Sequence, residues 1–332
     1  MKRDEDRMYK VLFAAVREFI KTKRPVSSKR ILQVTNMPWS GATIRNDMRR
    51  LEEMGYLYQP HTSAGRIPTD KGLRFYLEEI KDMRDLFREE SLGIETYQRF
   101  PMGDLETILD AVAKVLSKAT SGVAIIERPS FGNLKLLKTH VIPFGEDQAI
   151  IAVITDLGLS RVVPISRIDG LNMKALERLF DLFVGMSLSE IMEGFEKYKP
   201  SSGDQAMILE VAKGVLRFII GTPRIVYKGL YEVLREHGQD IEKLVMVLES
   251  SAGLERVFRS VERGVRVFVG EENPMKELRS FSTFVAPYFK GEDLVGHIGL
   301  ITGKFVEYER ILPIMEFVSS RLTEYLTVTT RR

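Results

Sequence analysis

Residues 40–54 read SGATIRNDMRRLEEM, and residues 55–72 continue GYLYQPHTSAGRIPTDKG. In an α-helix each residue is turned about 100° from the one before it. With Ile44 as origin, Ile44, Met48, Leu51 and Met54 gather on one side. Ala42, Asn46, Arg49 and Glu53 lie opposite, flanked by Arg45 and Arg50. The first side is apolar enough to bury. The second carries amide and guanidinium groups, whose donors and acceptors match base edges in a DNA major groove. Ser40 stands where an N-cap belongs, and Gly41 and Ala42 are small enough to let the helix tip approach a phosphate backbone. A solvated helix also shows Arg and Glu outward, so this stretch takes its meaning from its neighbours.

Those neighbours fit. Tyr9, Leu12, Phe13, Val16, Phe19 and Ile20 recur at helical spacing, which predicts a helix over Asp6–Lys23 that Arg24-Pro25 stops. Ser27 or Ser28 caps a second helix running to about Gln33. Asn36–Trp39 is a turn, and Ser40 opens the third helix, so the order is that of a helix-turn-helix. Trp39, the only tryptophan, packs under the turn on residue type, with DNA contact as the alternative. Tyr56–Gln59 and Arg66–Pro68 read as the strands of a hairpin wing around the loop His61–Gly65. Arg66 is expected near its tip, either entering a minor groove and meeting phosphates or simply solvated. Thr69 can cap the next helix, Leu73–Arg88, with Lys71 in its first turn near the basic face.

Charge supports the division. Residues 1–77 hold 16 Lys+Arg against 8 Asp+Glu, whereas the remainder holds 33 against 38, although the whole chain has a net charge of only +3. A basic front end on a slightly acidic body is the asymmetry expected when one end meets polyphosphate. With 332 residues, 44% hydrophobic and 29% charged, two or three globular domains are expected. The chain shows no apolar run of transmembrane length and no signal-peptide core at its start, so a cytoplasmic protein without membrane contact is expected. Zero cysteines exclude disulfides, thiolate metal sites and cysteine nucleophiles.

Residues 89–103 read as a linker, followed by a helix over Leu105–Ala119. Strands are expected at Val123–Ile126, Leu134–Pro143, Gln148–Thr155 and Leu159–Ile165, as one antiparallel meander. From Leu171 to Arg263 the pattern reads as helical without strands, including a helix over Tyr227–Glu236. Strands resume at Val265–Val269, Phe281–Tyr288 and His297–Thr302, and a last helix covers Arg310–Leu326. Strands, helices and strands again suggest a helical block inserted into a sheet domain; two separate domains are the alternative.

The sequence offers no catalytic signature. His61, His140, His237 and His297 have no ligand spacing, so no metal is expected. P-loop, G-x-S-x-G and H-E-x-x-H patterns are absent, and the glycines of 291–303 (GEDLVGHIGLITG) do not form G-x-G-x-x-G. Neither an enzyme nor a cofactor is expected.

The stretch SGATIRNDMRRLEEMGYLYQPHTSAGRIPTDKG, with FVGEENP at 268–274, FVAPYFKGEDLVGHIGLITG at 284–303 and YERILPIMEFV at 308–318, resembles the heat-inducible transcription repressors called HrcA. One departure is visible, Met37-Pro38-Trp39 where a Gly-Val-Ser-like turn belongs. The resemblance implies an α+β multidomain protein. Its parts are a winged helix-turn-helix (1–90), a linker (91–103), a GAF-like domain with an antiparallel sheet (104–168 and 245–332) and an inserted, mainly helical dimerisation domain (169–244). It further implies a homodimer on double-stranded DNA bearing an inverted repeat known as CIRCE, upstream of chaperone operons. It implies inactivation on heat shock and dependence on a GroEL-type chaperonin. The DNA-binding residues implied are Thr43, Arg45, Asn46, Arg49 and Arg50 on the reading helix and His61, Thr62, Ser63 and Arg66 on the wing, beside Ser40 and Lys71 from the pattern. The alternative is a ligand-sensing transcription factor whose GAF-like domain takes a small molecule. Ile150, Ala152, Ile154, Phe284 and Ile298 would then line a pocket instead of filling a core.

Overall fold

The computed structural model describes residues 2–61, 64–82, 105–144, 148–166, 170–234 and 240–329. It is a mixed fold of helices and antiparallel sheets. The expected linker and the end of the helix beginning at Leu73 lie outside the described residues.

Helices α1 (Lys2–Thr22), α2 (Ser28–Val34) and α3 (Gly41–Glu53) are followed by strands β1 (Leu57–Tyr58) and β2 (Ile67–Pro68), then α4 (Asp70–Asp82). The local signals are those the sequence advertises. Ser27 accepts from the Arg30 amide and caps α2. The Thr69 hydroxyl accepts from the Gly72 amide at the start of α4. Leu12, Val16, Ile44, Met48, Leu51, Leu73 and Leu77 bury together, and Trp39 is half-buried against them. Met54 departs from expectation. It is the C-cap of α3 and 41% exposed, because the helix ends before a further turn can carry it inward. β1 and β2 pair Leu57 with Pro68 and Tyr58 with Ile67. Arg66 also pairs with Val26, through backbone bonds of 2.9 and 2.8 Å.

Helix α5 (Leu105–Thr120) and strand β3 (Val123–Glu127) begin the body. Strands β4 (Leu136–Pro143), β5 (Gln148–Thr155) and β6 (Ser160–Ser166) form a meander. Helices α6 (Met173–Asp181), α7 (Leu188–Lys197) and α8 (Gly203–Ile220) follow. Then come strand β7 (Ile225–Lys228) and helices α9 (Leu230–Leu234), α10 (Ile241–Glu249) and α11 (Ser251–Arg259). Strands β8 (Arg266–Val269), β9 (Phe281–Lys290) and β10 (Asp293–Gly303) and helix α12 (Tyr308–Thr329) end the chain.

Strands β3–β10 form two sheets where one meander and a later group are expected. β3 leaves the meander and joins a five-stranded antiparallel sheet of order β7-β3-β10-β9-β8. β7 is a strand inside the block read as helical, and it pairs with β3 from Ala124–Lys228 to Glu127–Ile225. The expected division at 244/245 falls inside α10, and α6 and α8 pack against β4 and β6 across the one expected at 168/169. Apart from β7, the expected strands are present; what the reading otherwise misses is which strand pairs with which, a matter of distant partners.

Period-two alternation sorts the larger sheet into two faces. Ala124, Ile126, Phe284, Ala286, Ile298 and Leu300 bury with α5 and α12. Val123, Ile125, Phe281, Val285 and Ile301 bury with Leu244, Val247, Leu254, Val257 and Phe258 of α10 and α11. Gly299 is required here, because a Cβ would stand 2.7 Å from the Phe258 ring. The five residues set aside as possible pocket lining do not converge. Phe284 and Ile298 are core of this sheet, whereas Ile150, Ala152 and Ile154 belong to β5 in the other.

β9 runs past the short β8 and would leave an open edge. Helix α12 closes it with hydroxyls one turn apart. Ser319 donates to the Pro287 carbonyl at 2.6 Å, Thr323 accepts from the Phe289 amide at 3.1 Å, and Thr327 accepts from the Gly291 amide at 2.9 Å. Thr323→Val keeps the shape but leaves the Phe289 amide unpaired, and is expected to cost about 1–3 kcal/mol. Urea unfolding measures this; a loss below a few tenths of a kcal/mol would show that the edge needs no cap.

Candidate nucleic-acid interface

Helix α3 presents its expected outer face. Arg45, Asn46, Arg49 and Arg50 are exposed, and Ile44, Met48 and Leu51 are fully buried. Ser40 caps the helix by accepting from the Thr43 amide at 3.1 Å, and the two hydroxyls meet at 2.9 Å. The Thr43 hydroxyl therefore serves the cap. Arg49 donates to the Asn46 side-chain oxygen at 3.1 Å and has Glu53 at 3.7 Å. Arg45 and Arg50 have no acidic partner among the described residues, so their charge faces solvent.

The wing differs from expectation at Arg66, and Lys71 lies in the first turn of α4, as expected. Arg66 is not near the tip. It directly precedes the last β1–β2 pair, Tyr58–Ile67, and its side chain turns away from the loop, so that its guanidinium binds Glu52 of α3 at 3.0 Å and is mostly buried. The physical reason is the backbone pairing with Val26, which turns Arg66 back toward α3. Lys71 donates to the Met54 carbonyl at 2.9 Å and lies 4.3 Å over the Tyr56 ring. It neutralises the negative end of α3, as a cation at a helix C-terminus does. His61 is exposed on the loop, and Thr62 and Ser63 lie outside the described residues.

Sequence reasoning missed Asp47. It sits in the buried stripe of α3, fully buried, and Arg7 of α1 grips it with two bonds of 2.8 and 3.0 Å. The signal was present: an acid inside an apolar stripe demands a cation from elsewhere in the chain.

Residues 106–312 match the family described as "HrcA protein C terminal domain". The chain is 38% identical to the heat-inducible transcription repressor HrcA of Thermotoga maritima over 334 residues, covering 100% of this chain and 97% of that one. It is 30% identical to the protein of that name from Caldanaerobacter subterraneus subsp. tengcongensis, covering 97% of each. The chain belongs to the HrcA family of heat-inducible transcription repressors. A crystal structure described as a hypothetical protein at 2.2 Å resolution shares 38% identity with this HrcA-family chain at a TM-score of 0.76, covering 98% of this chain and 99% of the other.

In this HrcA-family chain the N-terminal module rests on the body through charged contacts on α4. Asp70 takes Lys304 at 2.7 Å and the Glu271 amide at 3.0 Å. Arg74 forks onto Glu272 and donates to the Val267 carbonyl at 2.7 Å. Tyr76 bonds Glu309, and burial together with that carboxylate pushes its phenol well above the usual range. Phe19 meets Phe305 edge-on, with ring centres 4.7 Å apart. These contacts lie on α1 and α4, so the outer face of α3 stays open. Among the described residues no cluster of three or more His, Asp or Glu suits a metal ion, and no helix is long and apolar enough to cross a membrane.

Proposed function

We propose that this chain is a dimeric cytoplasmic repressor that reads an inverted repeat of the CIRCE type upstream of chaperone operons. In this reading residues 1–82 are a winged-helix DNA-binding module and the five-stranded sheet with its helices is GAF-like. The observation that carries it is the α3 face of Arg45, Asn46, Arg49 and Arg50, two of them without an acidic partner among the described residues, capped at Ser40 and flanked by a hairpin. Arg and Asn are the side chains that make bidentate contacts to guanine and adenine. His61, Thr62 and Ser63 serve as wing contacts, and Arg66 and Lys71 hold the wing and helix in place.

Twofold symmetry requires two copies and makes the operator an inverted repeat. The unit of β4–β6 and α6–α8 supplies a surface for pairing. One face of its sheet packs Ala149, Ile151, Val153 and Val163 inward. The other offers Ile142 at 53% and Val162 at 58% exposure, with Ile150, Ala152 and Ile154 between them half-buried. An apolar face of this kind on a repressor suits a second copy. The family role adds a GroEL-type chaperonin that keeps the repressor active and is drawn away by unfolded protein on heat shock.

Binding to a CIRCE duplex and to a scrambled duplex of equal length, measured at one salt concentration with and without chaperonin, tests this reading. The inverted repeat is expected to bind at least about a thousandfold more tightly than scrambled DNA. Equal affinity for both duplexes overturns it. The ligand-sensing alternative loses the lining it was given, since Phe284 and Ile298 lie in the core of one sheet and Ile150, Ala152 and Ile154 on a strand of the other.

A further inference from the structure

The buried face of α3 consists of Ile44, Asp47, Met48 and Leu51. Three of these are apolar, and their contacts are non-directional. Apolar packing tolerates repacking and small rotations at little cost. Asp47 does not. Its two carboxylate oxygens meet Arg7 Nε at 2.8 Å and Nη2 at 3.0 Å, while Arg7 Nη1 reaches Asp4 at 2.7 Å. A forked pair of this kind holds only over a narrow range of orientation. Any roll of α3 breaks it and leaves a fully buried carboxylate without a cation.

Asp47 follows Asn46 directly and precedes Arg49 and Arg50, so the pair acts on the part of the helix that faces outward. A roll of about 20° moves a side-chain tip at the helix surface by about 2 Å, enough to lose a base contact. Buried ion pairs add little net stability compared with apolar residues of the same size, and fixing one arrangement among several is their best-attested use.

We propose that the Arg7–Asp47 pair is a positioning device for the reading helix: it selects the roll of α3 at which Arg45, Asn46, Arg49 and Arg50 meet bases, and contributes specificity in place of stability. The proposal rests on the DNA-reading function above. It also separates from that function experimentally, because it concerns how two properties change relative to each other.

The test compares the wild-type chain, the apolar double variant Arg7→Met/Asp47→Leu, and Arg7→Lys, which keeps the charge and loses the fork. Thermal unfolding and binding to CIRCE and scrambled duplexes at one salt concentration are measured for each. The double variant is expected to unfold at or above the wild-type temperature while its preference for CIRCE over scrambled DNA falls at least tenfold, chiefly through weaker CIRCE binding. Arg7→Lys is expected to fall between the two. A double variant with the wild-type preference overturns the proposal, as does one that is destabilised and loses both duplexes equally. Should the double variant not fold, Arg7→Lys decides, and an unchanged preference there overturns the proposal. A wild-type chain that shows no preference for CIRCE refutes the DNA-reading function instead.

Discussion

Glu127→Ala is expected to lower stability by about 3–5 kcal/mol, the range for removing one partner of a buried ion pair. Glu127 ends β3 and is 2% exposed. One oxygen binds Arg224 at 2.9 Å, just before β7, and the other binds His297 Nδ1 on β10. His297 in turn has the Val261 carbonyl at 3.0 Å from Nε2 and stacks on Phe258 at 5.7 Å between ring centres. The carboxylate thus joins three neighbouring strands at one end of the sheet and the loop after α11. Without it, Arg224 can still turn to solvent, but the buried His297 cannot, so most of the cost falls on a ring nitrogen left without its partner. Urea unfolding gives the number. A loss below about 1 kcal/mol would mean that water replaces the carboxylate. At temperatures where the variant stays folded, its preference for CIRCE over scrambled DNA should be unchanged, because α3 is untouched.

Asn46→Ala and Arg49→Ala are each expected to weaken binding to the inverted repeat by about 1–3 kcal/mol, the value of a lost bidentate base contact, with a smaller loss on scrambled DNA. The structure adds a further expectation. Arg49 already donates to the Asn46 oxygen at 3.1 Å, so each side chain helps aim the other. The double variant should therefore lose less than the two single losses combined, with a coupling of about 0.5–3 kcal/mol as for side chains in direct contact. Strict additivity would show that the Asn46–Arg49 bond is broken on the DNA. Equal losses on both duplexes would show that neither residue reads bases, and salt dependence would then assign Arg49 to a phosphate.

Much of the candidate site was legible because its signals are local. The cap at Ser40, the stripe of Ile44, Met48 and Leu51 and the outward set of Asn46 and Arg49 depend only on helical geometry and on neighbours three or four residues away. The hairpin was legible for the same reason, though not the direction of its arginine. Arg66 points home because Val26, forty residues earlier, pairs with its backbone and Glu52 takes its charge. A reading limited to the hairpin sees a cation in a polar loop and places it at the tip.

β7 went unread although its signal was on the page. Pro223 and Gly229 bracket the β-branched and aromatic run Ile225-Val226-Tyr227, and Gly229 adopts φ +90°, which a continuing helix does not allow. The run is only four residues long and a helix begins two residues after it, so local pattern alone does not separate the two.

The sequence by itself determined where most of the helices and strands lie, that the first 77 residues are basic, and that one helix is built to turn arginine and asparagine outward. These follow from caps, periodicity and charge, which act within a few residues. Only the tertiary structure decided that β3 and β7 belong to one sheet with β10, that Arg66 and Lys71 are spent on holding the wing and the end of α3, and that Asp47 is answered by Arg7. Each of those is a choice of partner across tens or hundreds of residues. The chain reaches it when burial leaves no other way to satisfy a strand edge or a charge.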